Sequence, residues 1–125
     1  MNWYMSKLIF RIVCGVGDHA PQFDEQLRLI YARNETEAFE KAAQLGRKEE
    51  TTFLNEKQET VSWQFINLSE LYKLSSLEDG TEVYSKIQEP EQAGSFIDMI
   101  NKRAAWLKSK LFADIFNETP KLINQ

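Results

Sequence analysis

Residues 3–16, with the sequence WYMSKLIFRIVCGV, decide the fold of this chain. Side chains along this segment alternate with the period of two that is typical of a β-strand. One face is almost wholly apolar and comprises Tyr4, Leu8, Phe10, Ile12 and Cys14. The other face mixes two cations with hydrophobic side chains and comprises Trp3, Met5, Lys7, Ile9, Arg11 and Val13. The pattern predicts a central strand of a sheet, with one face on the core and the other only partly covered.

A second strand and a short helix follow. Residues 23–32 alternate in the same way after a loop that contains Gly and Pro, which predicts an antiparallel hairpin with the first strand. Asn34, with Glu37 three residues later, has the spacing of a helix-capping box. The helix that begins there is expected to place its small alanines against the sheet and to end at Gly46.

Three more strands are expected after this helix. Residues 51–54 and 60–68 flank a polar turn and predict a second hairpin, whose register is set by burial of its aromatic side chains. The leucines at positions 68, 71 and 74 recur every three residues, which favours a short irregular or helical crossover. The pair Asp79-Gly80 is a hairpin-turn signal and predicts a fifth strand at residues 81–87.

The C-terminal part of the chain predicts a long helix. Apolar side chains recur every three or four residues from about 96 to 116. The chain is therefore expected to have an α+β fold with a single, mostly antiparallel sheet of about five strands, one short helix and one long C-terminal helix. The expected division is a core domain at residues 1–94 and a C-terminal helix with its tail at residues 95–125, packed on the core or on a second subunit.

Composition and charge bound the class of protein. The net charge of −4 over 125 residues argues against a nucleic-acid-binding protein, whose affinity rests on neutralising phosphates. No apolar run approaches the ~20 residues of a membrane span, and a lone cysteine is typical of the reducing cytoplasm. From residue 101 onward, five cationic residues stand against two carboxylates, so the acidic excess lies in the rest of the chain. This asymmetry indicates either that the cationic C-terminal segment contacts the acidic rest of the chain, or that both are simply solvated faces.

The residue types needed for catalysis are sparse. His19 is the single histidine and lies in a loop near carboxylates, but no convergent metal-ligand spacing surrounds it. Cys14 lies on the apolar face of the first strand, where a thiol is expected to be inert. Paired carboxylates occur at turns, where solvation keeps them ionised. The sequence therefore predicts no enzyme, no metal and no cofactor.

One surface could bind a partner or a ligand. Lys7 and Arg11 are four residues apart on one strand and therefore lie on one side of it, about 13 Å apart. We expect the candidate ligand or interface residues to be Trp3, Lys7, Arg11, Arg28, Glu82 and Tyr84. Cations beside aromatic rings can hold an anionic or planar ligand. The same pattern also fits an interaction face, a face closed internally by an ion pair such as Lys7 with Glu82, or a face covered by the long helix.

A series of short motifs resembles a known family. They are Trp3-Tyr4-x-x-Lys7-Leu8-x-Phe10, Glu25, Glu37-Ala38 with Ala42 and Gly46, Thr52-Phe53-x-Asn55, Val61-x-Trp63-x-Phe65 and Gly80-x-Glu82-Val83-Tyr84-Ser85. In this order and spacing they are similar to a small bacterial domain-of-unknown-function family (four-two-eight-eight). The resemblance covers most of residues 2–87. It implies a small α+β domain and carries over no activity and no catalytic residue.

Two functions remain open from the sequence. The first is a non-enzymatic, cytoplasmic protein-interaction domain, a homodimer through the long helix or a sheet edge, with a regulatory or immunity-like role. In that role an acidic body could mask the basic surface of a protein partner, by analogy with small toxin-neutralising proteins. The alternative is a small-molecule or anion-binding domain that uses the cationic and aromatic sheet face. Neither function involves nucleic acid or a membrane.

Overall fold

The computed structural model describes the backbone of residues 1–123 and the side chains of residues 1–113. The chain divides into two units, Met1–Ser85 and Lys86–Gln125. The elements of the first unit are β1 Asn2–Cys14, β2 Gln22–Ala32, α1 Glu35–Lys48, β3 Thr51–Leu54 and β4 Thr60–Lys73. The second unit contains α2 Ala93–Ile123.

The first unit is one antiparallel sheet with α1 on one side. The strand order is β2-β1-β4-β3, so β1 is central and β2 and β3 are the edges. β1 pairs antiparallel with β2 and with β4, and β3 pairs antiparallel with β4. The α+β class, the central position of the first strand and both predicted hairpins are confirmed.

The core lies between α1 and the sheet. Its buried members are Tyr4, Leu8, Phe10, Ile30, Ala32, Ala38 and Ala42, and Trp63 and Phe65 pack against them. Asn34 caps the helix as predicted, because its side-chain oxygen accepts a hydrogen bond from the backbone N–H of Glu37 at 2.9 Å. The prediction that Gly46 ends the helix is wrong. Gly46 lies inside α1, where a side chain would collide with the ring of Phe65.

The sheet has four strands, not the expected five. β4 continues to Lys73 instead of ending at residue 68. Its register against β1 shifts twice, so the residues opposite Phe10, Leu8 and Ser6 are Phe65, Leu68 and Leu71. Each shift adds one residue to the usual period of two, as a β-bulge does. The three-residue spacing of Phe65, Leu68 and Leu71 therefore comes from a bulged strand and not from a crossover, whereas Leu74 follows the end of β4.

The predicted fifth strand at residues 81–87 does not form. Gly80 has a positive φ of 86°, which fits the predicted turn. The turn closes locally, because the N–H of Thr81 donates to the carbonyl of Glu78 at 3.1 Å and the Thr81 hydroxyl accepts from the N–H of Glu78. The residues that follow do not join the ladder of the sheet. The chain instead attaches to the sheet through the side chain of Tyr84.

The second unit is helical. α2 covers Ala93–Ile123 and so extends beyond the predicted range of about 96–116 at both ends. Its large apolar side chains with more than a third of their surface exposed are Ile97, Met99, Ile100, Trp106, Leu107, Leu111 and Phe112. Neither helix is apolar enough over a sufficient length to cross a bilayer, as far as the described residues extend. Packing of the long helix on the core or on a second subunit stays a prediction.

Candidate functional site

The sheet has one face that α1 leaves uncovered, and it carries most of the predicted site residues. We call it the open face. Directly paired residues of neighbouring strands point to the same side of a sheet. Lys7 is paired with Leu27 on β2 and with Glu70 on β4, so these three side chains share the open face. Tyr4, Leu8 and Phe10 alternate with them and face α1.

Lys7 is held at the centre of the open face by three polar partners. Its Nζ lies 3.0 Å from Glu70 Oε2 and 3.8 Å from Glu25 Oε2, and it donates a hydrogen bond to the hydroxyl of Tyr84 at 3.3 Å. It also lies 4.8 Å from the centroid of the Tyr84 ring, within the range of a cation–π contact. The hydrogen bonds with Glu70 and then Tyr84 raise the pKa of Lys7 above its usual value, against the opposing effect of desolvation. The ammonium is therefore charged and already compensated within the first unit.

Tyr84 connects the segment after β4 to the open face. Its ring meets that of Tyr72 edge-on, with 6.1 Å between the centroids. Burial, and then the neighbouring carboxylate of Glu70, raise the pKa of Tyr72. Beside this pair lies a cavity of about 250 Å³ lined by Tyr72, Lys73, Leu74, Ser75, Glu82, Val83, Tyr84 and Ser85. The volume lies below the ~300 Å³ at which pockets for drug-sized ligands begin.

A row of exposed hydrophobic side chains occupies the other part of the open face. We call it the apolar row, and its members are Trp3, Phe23, Leu27, Leu29 and Tyr31. Each of these residues exposes between 36% and 55% of its surface to solvent. The rings of Trp3 and Tyr31 pack with their centroids 4.7 Å apart. Four of the five residues lie on β2, an edge strand of 11 residues.

The structure brings some of the predicted residues together and separates others. Trp3, Lys7 and Tyr84 lie on or against the open face, and Arg11 is exposed on the same side, paired with Phe23. Arg28 does not join them. It is paired with Ser6 and therefore lies on the α1 side of the sheet.

The ion pairs of the site differ from the one expected. The partner of Arg28 is Glu49, whose Oε1 lies 2.9 Å from its Nη2. Glu82, the expected partner of Lys7, lines the small cavity, and the ion pairs of Lys7 are with Glu70 and Glu25. Sequence reasoning did not select these two carboxylates. The alternation of β2 places Glu25 on the same face as Lys7 once the hairpin register is known. Glu70 can be placed there only when the bulged register of β4 is known.

Cys14 and His19 meet near the turn between β1 and β2. Cys14 is half-buried, and its sulfur accepts a hydrogen bond from the side chain of Asn55 at 3.5 Å. His19 is exposed, and its Nε2 accepts from the backbone N–H of Cys14 at 2.9 Å. Among the side chains described, no group of three His, Cys, Asp or Glu residues is placed to hold a metal ion.

Comparison with known proteins identifies the family. The model of a family described as a domain of unknown function (DUF4288) matches residues 3–85, about two thirds of the chain. The chain belongs to this family, which confirms the resemblance drawn from its motifs. The match contains the whole first unit except its first two residues, and with it the open face. No curated protein and no solved structure matches the chain.

Proposed function

We propose that this chain is a non-enzymatic protein-interaction domain of the bacterial cytoplasm, with a regulatory or immunity-like role, and that it works as a homodimer. The observation that carries this proposal is the apolar row on β1 and β2. Five large hydrophobic side chains keep between 36% and 55% of their surface in water, with Trp3 and Tyr31 in ring contact at one end of the row and Phe23 beyond Glu25 at the other. Several large apolar side chains exposed on one face are typical of a protein interface.

Covering the row supplies part of the free energy that association needs. Full burial of a large apolar side chain is worth about 1.5–3 kcal/mol, so covering five half-exposed ones contributes about 4–7 kcal/mol. A micromolar dissociation constant corresponds to about 8 kcal/mol, after the entropic costs of association are met. The row therefore supplies the main part of a weak interface, and backbone hydrogen bonds or flanking polar contacts must supply the rest.

A small-molecule or anion-binding domain is the second candidate. The observation in its favour is the 250 Å³ cavity beside Tyr84 and Glu82. An anion site needs a cation with unused hydrogen-bonding capacity. Lys7 instead already contacts Glu70, Glu25 and Tyr84, and an incoming anion would have to displace a carboxylate from it. This favours the interaction domain.

The two functions are separated by assembly state and co-purified mass. Native mass spectrometry and light scattering of the full chain are expected to show a dimer that becomes monomeric in the variant Leu27→Ser/Leu29→Ser. Leu54→Ser is the matched control, because Leu54 has similar exposure on β3, the opposite edge. The control should remain dimeric. A wild-type monomer that carries a small extra mass would contradict the interaction domain and support the binding domain.

A second variant tests the cationic part of the face. Lys7→Gln/Arg11→Gln removes both candidate cations of β1. An interaction domain that uses the apolar row should keep its assembly in this variant. A ligand-binding domain should lose its ligand-induced rise in melting temperature, with assembly unchanged.

A further inference from the structure

The outer edge of β2 presents its backbone groups to a further strand. The N–H of Leu74 donates to the carbonyl of Trp3 at 2.8 Å, so the backbone of Trp3 is turned toward the β4 side of β1. Tyr31 is paired with Trp3 across the hairpin. In an antiparallel pair of strands, two directly opposite residues either both point their N–H and C=O groups at each other or both point them away. Because the backbone groups of Trp3 point away from β2, those of Tyr31 point away from β1. The N–H and C=O groups of Tyr31, and of every second residue back to Phe23, therefore point away from the sheet.

Both ends of this edge are closed to pairing. At one end Pro21 has no N–H to donate. At the other end the ammonium of Lys41, on α1, donates to the carbonyl of Tyr31. Proline and lysine at an edge strand are common devices against unwanted pairing. Between these two blocks the residues from 22 to 30 are open, and the centre of that window is Gln26.

The charges on the α1 side of this window are self-complementary. Asp24, Gln26 and Arg28 alternate along β2, so an anion, a neutral amide and a cation follow one another. Within one chain they form a line of hydrogen bonds, from Arg28 Nη1 to Gln26 Oε1 at 2.8 Å and from Gln26 Nε2 to Asp24 Oδ2 at 2.7 Å. A second copy of β2 that runs antiparallel presents the same three residues in reverse order, so its cation lies where the first copy has its anion.

From these features we propose that β2 pairs antiparallel with β2 of a second copy, about a two-fold axis at Gln26. This inference rests on the proposed homodimer and specifies its interface. The two four-stranded sheets then join into one sheet of eight strands. Asp24 of each copy lies opposite Arg28 of the other, and Tyr31 lies opposite Pro21 of the other. The carbonyl that Lys41 occupies thus faces the residue that has no N–H.

This register also satisfies the backbone and extends the apolar row. Phe23 lies opposite Leu29 of the second copy, and Glu25 lies opposite Leu27. Because all four residues point their N–H and C=O groups outward, each of these pairs forms two backbone hydrogen bonds. The apolar rows of the two copies adjoin on one continuous face, where Phe23 packs beside Leu29 of the other copy. The pairing therefore covers the adjoining edges of the rows, and its backbone hydrogen bonds supply the remaining stabilisation. An axis at Leu27, by contrast, would place Asp24 opposite Ile30 and leave Arg28 opposite Gln26.

Crosslinking through a single introduced cysteine tests the axis. The experiment uses the full chain with Cys14→Ser, so that no native thiol remains. With the axis at Gln26, the two copies of residue 26 are a non-hydrogen-bonded pair with Cα atoms about 4.5 Å apart, which a disulfide can bridge. The two copies of residue 27 are then about 9 Å apart, beyond the ~7 Å limit. Under mild oxidation, Gln26→Cys should form a disulfide-linked dimer and Leu27→Cys should not.

Each outcome has a definite meaning when the native mass of the unoxidised protein is recorded beside it. A dimer in which Leu27→Cys crosslinks instead of Gln26→Cys overturns the register. A dimer in which neither variant crosslinks overturns β2 pairing but leaves the proposed homodimer standing. A monomer overturns both. A β2 edge that captures an extended segment of a different protein belongs to this last outcome.

Charge reversal provides a test that does not depend on a disulfide. Asp24→Arg places like charges opposite each other twice per dimer, as does Arg28→Asp, and each should weaken dimerisation by about tenfold. The double variant Asp24→Arg/Arg28→Asp restores opposite charges across the axis and should recover the affinity. Glu49→Gln removes the intrachain ion pair of Arg28 and serves as the control, with no weakening expected. Failure of the double variant to recover, with circular dichroism unchanged, contradicts the pairing.

Discussion

The close approach of Gly46 to Phe65 yields a quantitative prediction about the core. A Cβ atom at position 46 would lie 2.3, 2.4 and 2.6 Å from three carbon atoms of the Phe65 ring. Carbon atoms in proteins are in contact at about 3.5–4.0 Å, so the ring would have to move by more than about 1 Å. The ring cannot retreat freely, because it packs on Phe10 with 5.6 Å between the centroids. We therefore expect Gly46→Ala to disrupt the contact between α1 and β4.

Two opposing effects determine the size of the change. Alanine favours a helix interior over glycine by about 1 kcal/mol. Forcing a methyl group into a packed core costs about 1–3 kcal/mol, and here the contacts are very short. The balance is a loss of about 1–2 kcal/mol in the free energy of unfolding. For a domain of this size the melting temperature should fall by about 5–10 °C.

Urea denaturation followed by circular dichroism measures this loss. Gly94→Ala is the matched control, since a Cβ at that position meets no atom within 4 Å. The variant Phe65→Leu makes room beside the helix, so Gly46→Ala should cost less in that background than alone. If Gly46→Ala instead stabilises the protein by the ~1 kcal/mol of helix propensity, the packing argument is refuted.

Three further predictions concern α1 and the open face. Asn34→Ala removes the cap on the N–H of Glu37 and should lower the free energy of unfolding by about 1 kcal/mol in urea denaturation, whereas Asn34→Asp should not. Because Glu70 and Tyr84 raise the pKa of Lys7 above 10.5, the stabilisation by this lysine is complete below pH 10.5 and is lost as the pH rises through the higher folded-state pKa. The stability gap between wild type and Lys7→Met should therefore be constant up to that pH and narrow above it, and a gap that widens would contradict the ion cluster. Tyr84→Phe keeps the ring but loses the hydroxyl 3.3 Å from Lys7, so it should cost less than about 1.5 kcal/mol, and Tyr84→Ala clearly more.

Local rules account for the parts of the fold that the sequence predicted. Alternation along β1 separates a core face from a mixed face, and burial confirms it, because Leu8 and Phe10 are at most 1% exposed while Arg11 is exposed. The hairpin with β2 and the cap at Asn34 depend on residues close together in the chain. Such features require no knowledge of distant contacts, and this is why periodicity and capping signals predict them.

The parts that the sequence did not predict depend on contacts between distant residues. The bulges of β4 exist because Phe65, Leu68 and Leu71 must all face the core, and one sequence cannot distinguish this from a helical spacing. A glycine at this point of the sequence is typical of a helix end. Gly46 instead lies inside α1, because the ring of Phe65, 19 positions further along the chain, leaves no room for a side chain there. Local sequence patterns carry least information about where helices and strands end and about which distant residues pack together.

The candidate site was predictable to a similar degree. Trp3 and Lys7 could be assigned to one face from alternation alone, and Tyr84 was selected as an aromatic that could meet them. The side of the sheet on which Arg28 lies depends on the pairing register, because a shift of one residue moves every side chain to the other face. The carboxylate of Glu70 is 63 positions from Lys7 in the chain. Only the fold brings these two charges together.

The pairing of Lys7 bears on how the open face could be covered by a partner. Burying an isolated ammonium in an interface would cost several kcal/mol of desolvation. Here only 14% of the Lys7 side chain is exposed, and its charge is met by Glu70 and Tyr84 before any partner arrives. The desolvation has therefore largely occurred on folding of the first unit. A partner that covers the neighbouring apolar row meets hydrophobic surface and a compensated charge, which is the combination that an interface requires and that an anion-binding site lacks.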